Sequence, residues 1–228
     1  MVHIRQSSQT RRCASAYISA VTLLLCATSA SAQPTALLVD STASHIYAVT
    51  HRTGLLSFLG HEHVITAPRW SGELCVHRTS PAESYARFVI DARALIIDGD
   101  SARRLAGLGR GPSANQRADI QAKMLDARHL NVREFPEMLF ESKRVTTDDW
   151  QTLQVQGRLT IRGVAQDLAF PATLEQQADG RIGFSAVLKV KQSAFGIKPE
   201  SIAGVVKVAD QVDLHIRLVA DSRSENCR

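Results

Sequence analysis

The sequence predicts an all-β protein whose antiparallel strands close on themselves, as a barrel or a two-layer sandwich. Three observations carry this reading. From Leu37 onward apolar and polar residues alternate with a period of two in run after run, the pattern of strands with one face buried and the other in water. The runs are joined by short turns marked by Gly163 and by Ala178-Asp179-Gly180, residues that suit tight hairpins. No strand–helix–strand rhythm interrupts them, and an open sheet of eight or nine strands would expose long unpaired edges.

The chain opens with Arg5, Arg11 and Arg12, continues through the apolar stretch Ala14–Ala27 and reaches Ala30-Ser31-Ala32 before Gln33. This order of basic start, apolar core and small-residue site is that of a secretory signal peptide over residues 1–32. The core is too short for a membrane span, which takes roughly 17–25 residues. Residues 33–228 are then expected to form one domain, periplasmic or secreted. The three arginines leave with the leader and no acid does, so the net charge of +5 falls to +2. No stretch interleaves basic and aromatic residues as a single-strand binder does, and nucleic acid is not an expected partner. Of four cysteines only Cys75 and Cys227 remain. They can pair in an oxidising compartment, but the sequence leaves the bond open. Cys75 alternates with Leu74 and Val76 and is expected to face outward.

Within the domain, strands are expected near 44–51, 61–67, 69–77, 84–91 and 138–146. Val155, Gly157, Leu159 and Ile161 share one face of a further strand; Leu168, Phe170, Ala172 and Leu174 another; Ile182, Phe184, Ala186, Leu188 and Val190 a third; Val212, Leu214, Ile216 and Leu218 a fourth. One insert breaks the pattern. Ser101–Gly111, rich in Gly and Arg, reads as a loop. Ser113 then caps a helix running to about Ala127, with Ala114, Ala118, Ile120, Met124 and Leu125 near one face. Arg103, Arg104, Arg110, Arg117, Lys123, Arg128 and Arg133 make this 103–133 insert basic. It is either a solvated surface or a place of transient contact with anionic lipid head groups.

Four segments occur in a telling order: Phe135-Pro136-Glu137-Met138-Leu139-Phe140-Glu141-Ser142, Gly157-Arg158-Leu159-Thr160-Ile161-Arg162-Gly163-Val164, Ser193-Ala194-Phe195-Gly196-Ile197 and Val208-Ala209-Asp210-Gln211-Val212. Together they resemble the YceI-like family of exported, lipocalin-like β-barrel proteins linked to polyisoprenoid binding. Gln192 and Ala194 stand where that family often has Arg and Asp, and Gly60-His61-Glu62-His63 replaces its more usual sequence. The resemblance implies an antiparallel lipocalin-like barrel of about eight strands with one short helical insert. It also implies an amphiphilic lipid ligand: an isoprenoid, quinone or fatty-acid-like molecule.

A barrel of about eight strands is the size that can enclose one small ligand. Met138, Phe140, Leu159, Ile161, Phe170, Phe184, Leu188, Leu214 and Ile216 are the residues expected to hold the tail. His45, His51, His61 and His63 fall within a 19-residue window. On a regular strand His61 and His63 share a face with Ile65 while Glu62 and Val64 take the other. His45 and His51 share parity on the preceding strand, so three imidazoles could converge. The histidines therefore read in three ways: as rim hydrogen-bonders, as head-group contacts at the cavity entrance (donating to a quinone carbonyl, for example), or as a metal or haem site on His61 and His63. Asp91 and Asp98 flank a short strand and read as turn residues. No nucleophile elbow, phosphate-binding glycine loop or His-Glu-x-x-His helix is present, so no enzyme is expected. The oligomeric state is left open.

Overall fold

The computed structural model describes residues 34–54, 61–202 and 206–227. The leader expected over residues 1–32 lies outside them. The strands are β1 (Thr35–Val39), β2 (His45–Thr53), β3 (His63–Thr66), β4 (Trp70–Val76), β5 (Tyr85–Asp91), β6 (Ile96–Ile97), β7 (Glu137–Thr146), β8 (Thr152–Ile161), β9 (Val164–Gln176), β10 (Ile182–Lys191), β11 (Ser201–Ile202) and β12 (Val206–Asn226). Two helices, α1 (Asp100–Leu105) and α2 (Ala114–Leu125), lie between β6 and β7.

The pairing order β1-β4-β5-β7-β8-β9-β10-β12 returns to β1 through the β1–β12 ladder, closing an eight-stranded antiparallel barrel. β12 is long enough to pair with two strands on one side: Lys207–Arg217 runs against β2, and its later part against β1. β2 pairs with β3 and β3 with β6, extending the wall past the end of the closed ring. The short strands β1 and β11 escape the alternation signal because two to five residues give too few repeats to register; β6 is the short strand expected between Asp91 and Asp98.

Alternation places the side chains as expected. Leu153, Val155 and Leu159 of β8 are buried while their neighbours Gln154, Gln156 and Arg158 are exposed. The β8–β9 connection is a two-residue turn with both Arg162 (φ 53°) and Gly163 (φ 71°) left-handed, the geometry that matches strand twist. Arg162 is held there by its own guanidinium, which donates to Gly196 O (2.7 Å) and Ala127 O (3.0 Å). A Cβ at Gly163 would collide with the Phe135 ring, and one at Gly157 with Phe140. The glycines and aromatics of the two recurring segments are thus mutual requirements of packing.

The insert departs from expectation. Part of the Ser101–Gly111 loop is helical, as α1, so the insert holds two helices. Ser113 does cap α2, in a reciprocal capping box with Gln116. Ala114 and Ala118 are exposed, because α2 leans on the barrel with the Ile120–Met124 side only. No residue of α2 is buried. Cys75 is also not an exposed outward residue: it is buried and bonded to Cys227, with a Cα–Cα distance of 5.8 Å.

Candidate functional site

The barrel encloses a cavity of about 920 Å³. At roughly 30 Å³ per non-hydrogen atom, the share of a water molecule in the liquid, such a space holds on the order of 30 atoms. It sits near the upper end of ordinary ligand pockets.

The wall comes from the inward parity of the strands. Met138 and Phe140 (β7), Leu159 and Ile161 (β8), Phe170 (β9), Phe184 and Leu188 (β10), and Leu214 and Ile216 (β12) all line it, so the nine residues singled out by alternation are brought together. Several of them are only half-buried because they face space. Ala48, Ala172 and Ala186 widen the cavity between them. At one end the β7–β8 turn brings in Trp150, packed with Val145, Leu153 and Phe170. At the other, Gln116, Ile120 and Met124 of α2, spaced four apart on one helix face, line the opening.

Charged groups and histidines of the lining gather at the α2 end: His61, His63, Asp119, Lys123, His129 and Glu200 all line the cavity. His129 joins Asp126 and Glu200, each at 3.2 Å, tying the segment after α2 to the one before β11. His63 opens β3 opposite Thr50 of β2, whereas His61 lies ahead of the strand.

The third imidazole does not join them. The His51 ring sits with Glu62 (3.2 Å) and Asp213 (3.0 Å), on the outward parity of β2 and β12, where Tyr47 stacks on His215 at 4.7 Å. His45 lies farther along the same outer face, opposite Arg217. Period two sends odd residues of β2 outward but His63 of β3 inward. Among the described residues no three His, Cys, Asp or Glu side chains are placed to hold a metal ion.

Sequence reasoning missed the partner His63 does have. Asp98, which follows β6, is fully buried, and its Oδ2 lies 2.6 Å from His63 Nδ1. Its Oδ1 receives Arg103 Nη1 at 2.5 Å and the Val64 N–H at 3.2 Å. Arg103 also donates to Glu62 O and Gly109 O, each at 2.9 Å. Burial by itself would raise the Asp98 pKa, but the hydrogen bonds it accepts from His63, Arg103 and the Val64 amide hold it below the ordinary carboxylate value. The backbone of Asp98 is left-handed (φ 52°), so it does mark a turn, yet its carboxylate points into the protein. Arg103 is therefore no part of an exposed basic face; it is the counter-charge of a buried acid. Arg104, Arg110 and Arg117 line a polar recess beside the cavity together with His61 and Asp100.

At the corner after β10, Gln192 and Ala194 replace a charge pair with neutral bonds: Gln192 donates to Ala209 O (2.9 Å), and Ala194 O accepts from Gln166 (2.8 Å).

Against known proteins, a family model described as YceI-like domain matches residues 37–220. Two UPF0312 proteins of Pseudomonas putida are 31% identical over 86 residues, which is 36% of this chain and 45% of each relative. The match thus spans under half the length of those curated relatives. Among solved structures, BcnA of Burkholderia cenocepacia has a TM-score of 0.61 at 22% identity, covering 81% of this chain and 100% of that one. A YCEI protein of Campylobacter jejuni has 0.52 at 20%, over 71% and 85%. A polyisoprenoid binding domain from Saccharophagus degradans, implicated in plant cell wall breakdown, has 0.53 at 13%, over 84% and 99%. At these identities the structural likeness is one of fold.

Proposed function

This chain belongs to the YceI-like domain family, and from that premise we propose that it is an exported carrier of an isoprenoid, quinone or fatty-acid-like amphiphile, without a catalytic step of its own. The observation that carries the reading is the cavity of about 920 Å³ with an apolar wall and its charged groups and histidines gathered at one end, a shape that matches a long tail with a single head. The nine wall residues named above would hold the tail. His61 and His63 would meet the head, a role favoured over metal binding because no third ligand stands with them among the described residues. The solved relative described as a polyisoprenoid binding domain supports the ligand class.

Each buried methylene gains ~0.8 kcal/mol over water, so a tail of ~20 carbons gains on the order of 15 kcal/mol. A bilayer offers nearly the same, so net affinity rests on shape and on the head, which suits a protein that must release its cargo. Export to the periplasm or beyond is supported by the leader-like residues 1–32 and by the Cys75–Cys227 disulfide, a bond that persists in oxidising compartments. Transient contact with an anionic membrane surface would fall to the exposed Arg104, Arg110, Lys123, Arg128 and Arg133, since Arg103 is buried.

The test is lipid extraction of mildly purified protein followed by mass spectrometry, with uptake assays on isoprenoid quinones, prenols and long-chain fatty acids. Recovery of a bound amphiphile, or saturable uptake at one per chain, is expected. Protein that is both empty and unable to take up any of these overturns the proposal.

A further inference from the structure

We infer that Asp98 sets the head-group preference of the cavity by fixing which form of the His63 ring faces the guest. The site then takes an amphiphile whose polar end donates a hydrogen bond, an alcohol or phenol, over one whose polar end only accepts, an ether, ester or ketone. The inference rests on the carrier reading and deepens it by naming the chemistry of the head.

The argument is one of hydrogen-bond accounting. An ionised carboxylate has lone pairs and no proton to give, so the 2.6 Å contact between Asp98 Oδ2 and His63 Nδ1 places the ring proton on Nδ1. A neutral imidazole carries one proton, and Nε2 then keeps a lone pair. His63 lines the cavity, and its other ring nitrogen bonds no group among the described residues. The arrangement is rigid. Arg103 Nη1 and the Val64 N–H hold the second oxygen of Asp98, and Glu62 O and Gly109 O hold Arg103 in turn. Exposure falls from 14% for the His63 side chain to 8% for Arg103 and 0% for Asp98. A donor head gains a bond to Nε2; an acceptor head meets lone pair against lone pair. Thr50, across the ladder from His63, carries a hydroxyl that can donate or accept and so imposes no preference of its own. The polarity is the reverse of a histidine that donates to a quinone carbonyl.

Geranylgeraniol and geranylgeranyl methyl ether, which differ at the hydroxyl proton, test this in displacement of a fluorescent apolar probe. The ratio of their affinities is compared between the wild type and His63→Leu. We expect the wild type to favour the alcohol by about three- to ten-fold more than the variant does, the worth of one neutral hydrogen bond. In Asp98→Asn the amide oxygen stays with Arg103 and the amide nitrogen turns to His63, so Nδ1 must accept, the ring proton moves to Nε2, and the preference shifts toward the ether. If Asp98→Asn does not fold, the wild type against His63→Leu decides. Nitrogen NMR of the His63 ring in the wild type reads the proton position without any substitution. Equal ratios in wild type and His63→Leu, or a ring that carries a proton on Nε2, whether neutral or charged, overturn the inference while the carrier reading stands. Failure of both probes to bind the wild type overturns the two together.

Discussion

Arg103 Nη1 lies 2.5 Å from Oδ1 of Asp98, with the arginine side chain 8% exposed and the aspartate 0%. Breaking a buried pair from one side leaves an uncompensated charge, at a cost of about 3–5 kcal/mol. Arg103→Ala is therefore expected to lower the urea midpoint sharply, and Arg103→Lys to recover only part, because one ammonium cannot reach Asp98, Glu62 O and Gly109 O together. The folded pKa of Asp98 is depressed, so its stabilisation is complete above the unfolded carboxylate range and is lost as pH falls through the folded value. Urea titrations at a series of acid pH values should show wild-type stability falling toward that of Arg103→Ala. A constant gap between them would count against the pairing.

The outer histidines are expected to titrate in opposite directions. The hydrogen bond to Glu62 foremost, against burial, and then Asp213 raise His51 above 6.5. Burial lowers His215 below 6.5, with the His51 charge adding to it and Asp213 opposing. By linkage, the His51 contribution is full below its unfolded value and fades as pH rises through the raised folded one. The His215 contribution is full above its unfolded value and fades as pH falls through the lowered folded one. His51 and Glu62 are each 36% exposed, so solvent keeps the stability effect small. Ring-proton NMR across neutral pH is the sharper measurement, and two coincident midpoints would contradict this packing.

What could be read from the chain beforehand follows from the range of each signal. Period two is local, so Val155-to-Ile161 and Val212-to-Leu218 announced their inward faces, and with them the wall of the cavity. The Gly157 and Gly163 positions were legible as motif, and the structure supplies the cause in the Phe140 and Phe135 rings that lie where a Cβ would go. Asp98 was misread because Asp98-Gly99-Asp100 has the composition of a turn, and it is one; its second role depends on His63, 35 residues earlier. The convergence of three imidazoles failed because β2 and β3 face opposite ways at the residues concerned. The disulfide stayed open as a possible pair, since nothing local shows that Cys227 meets Cys75 across a separation of 152 residues.

That bond straps the seam where the barrel closes. Cys75 pairs with Ala36 of β1, and Thr35 of β1 pairs with Asn226, next to Cys227. The long loop it closes makes the chain-entropy effect large, and its loss is expected to cost about 2–4 kcal/mol. The double variant Cys75→Ser, Cys227→Ser should unfold at lower urea, and its β1 amides should exchange with solvent faster while those of β8 change little. Unchanged β1 exchange would show that the ladders alone hold the seam.

Leu214 and Leu218 point inward from the same strand, two residues of like parity apart, yet they meet different surroundings. Both border the cavity, but Leu218 is 4% exposed and packs with Leu37, Leu74 and Phe88, whereas Leu214 is only half-buried. Truncating a packed leucine removes transfer energy and leaves a new hole, together about 2–5 kcal/mol. Truncating one that is only half-buried forfeits fewer contacts, about 1–2 kcal/mol by the area it still buries. In lipid-free protein, urea unfolding of Leu218→Ala should therefore show the larger loss. Adding a saturating prenol should widen the deficit of Leu214→Ala against the wild type, since the guest stabilises the folded state in proportion to its affinity and that side chain is part of what it touches. Equal losses for the two variants without lipid, and no change on adding it, would mean that the inward faces pack on one another and leave a guest no room.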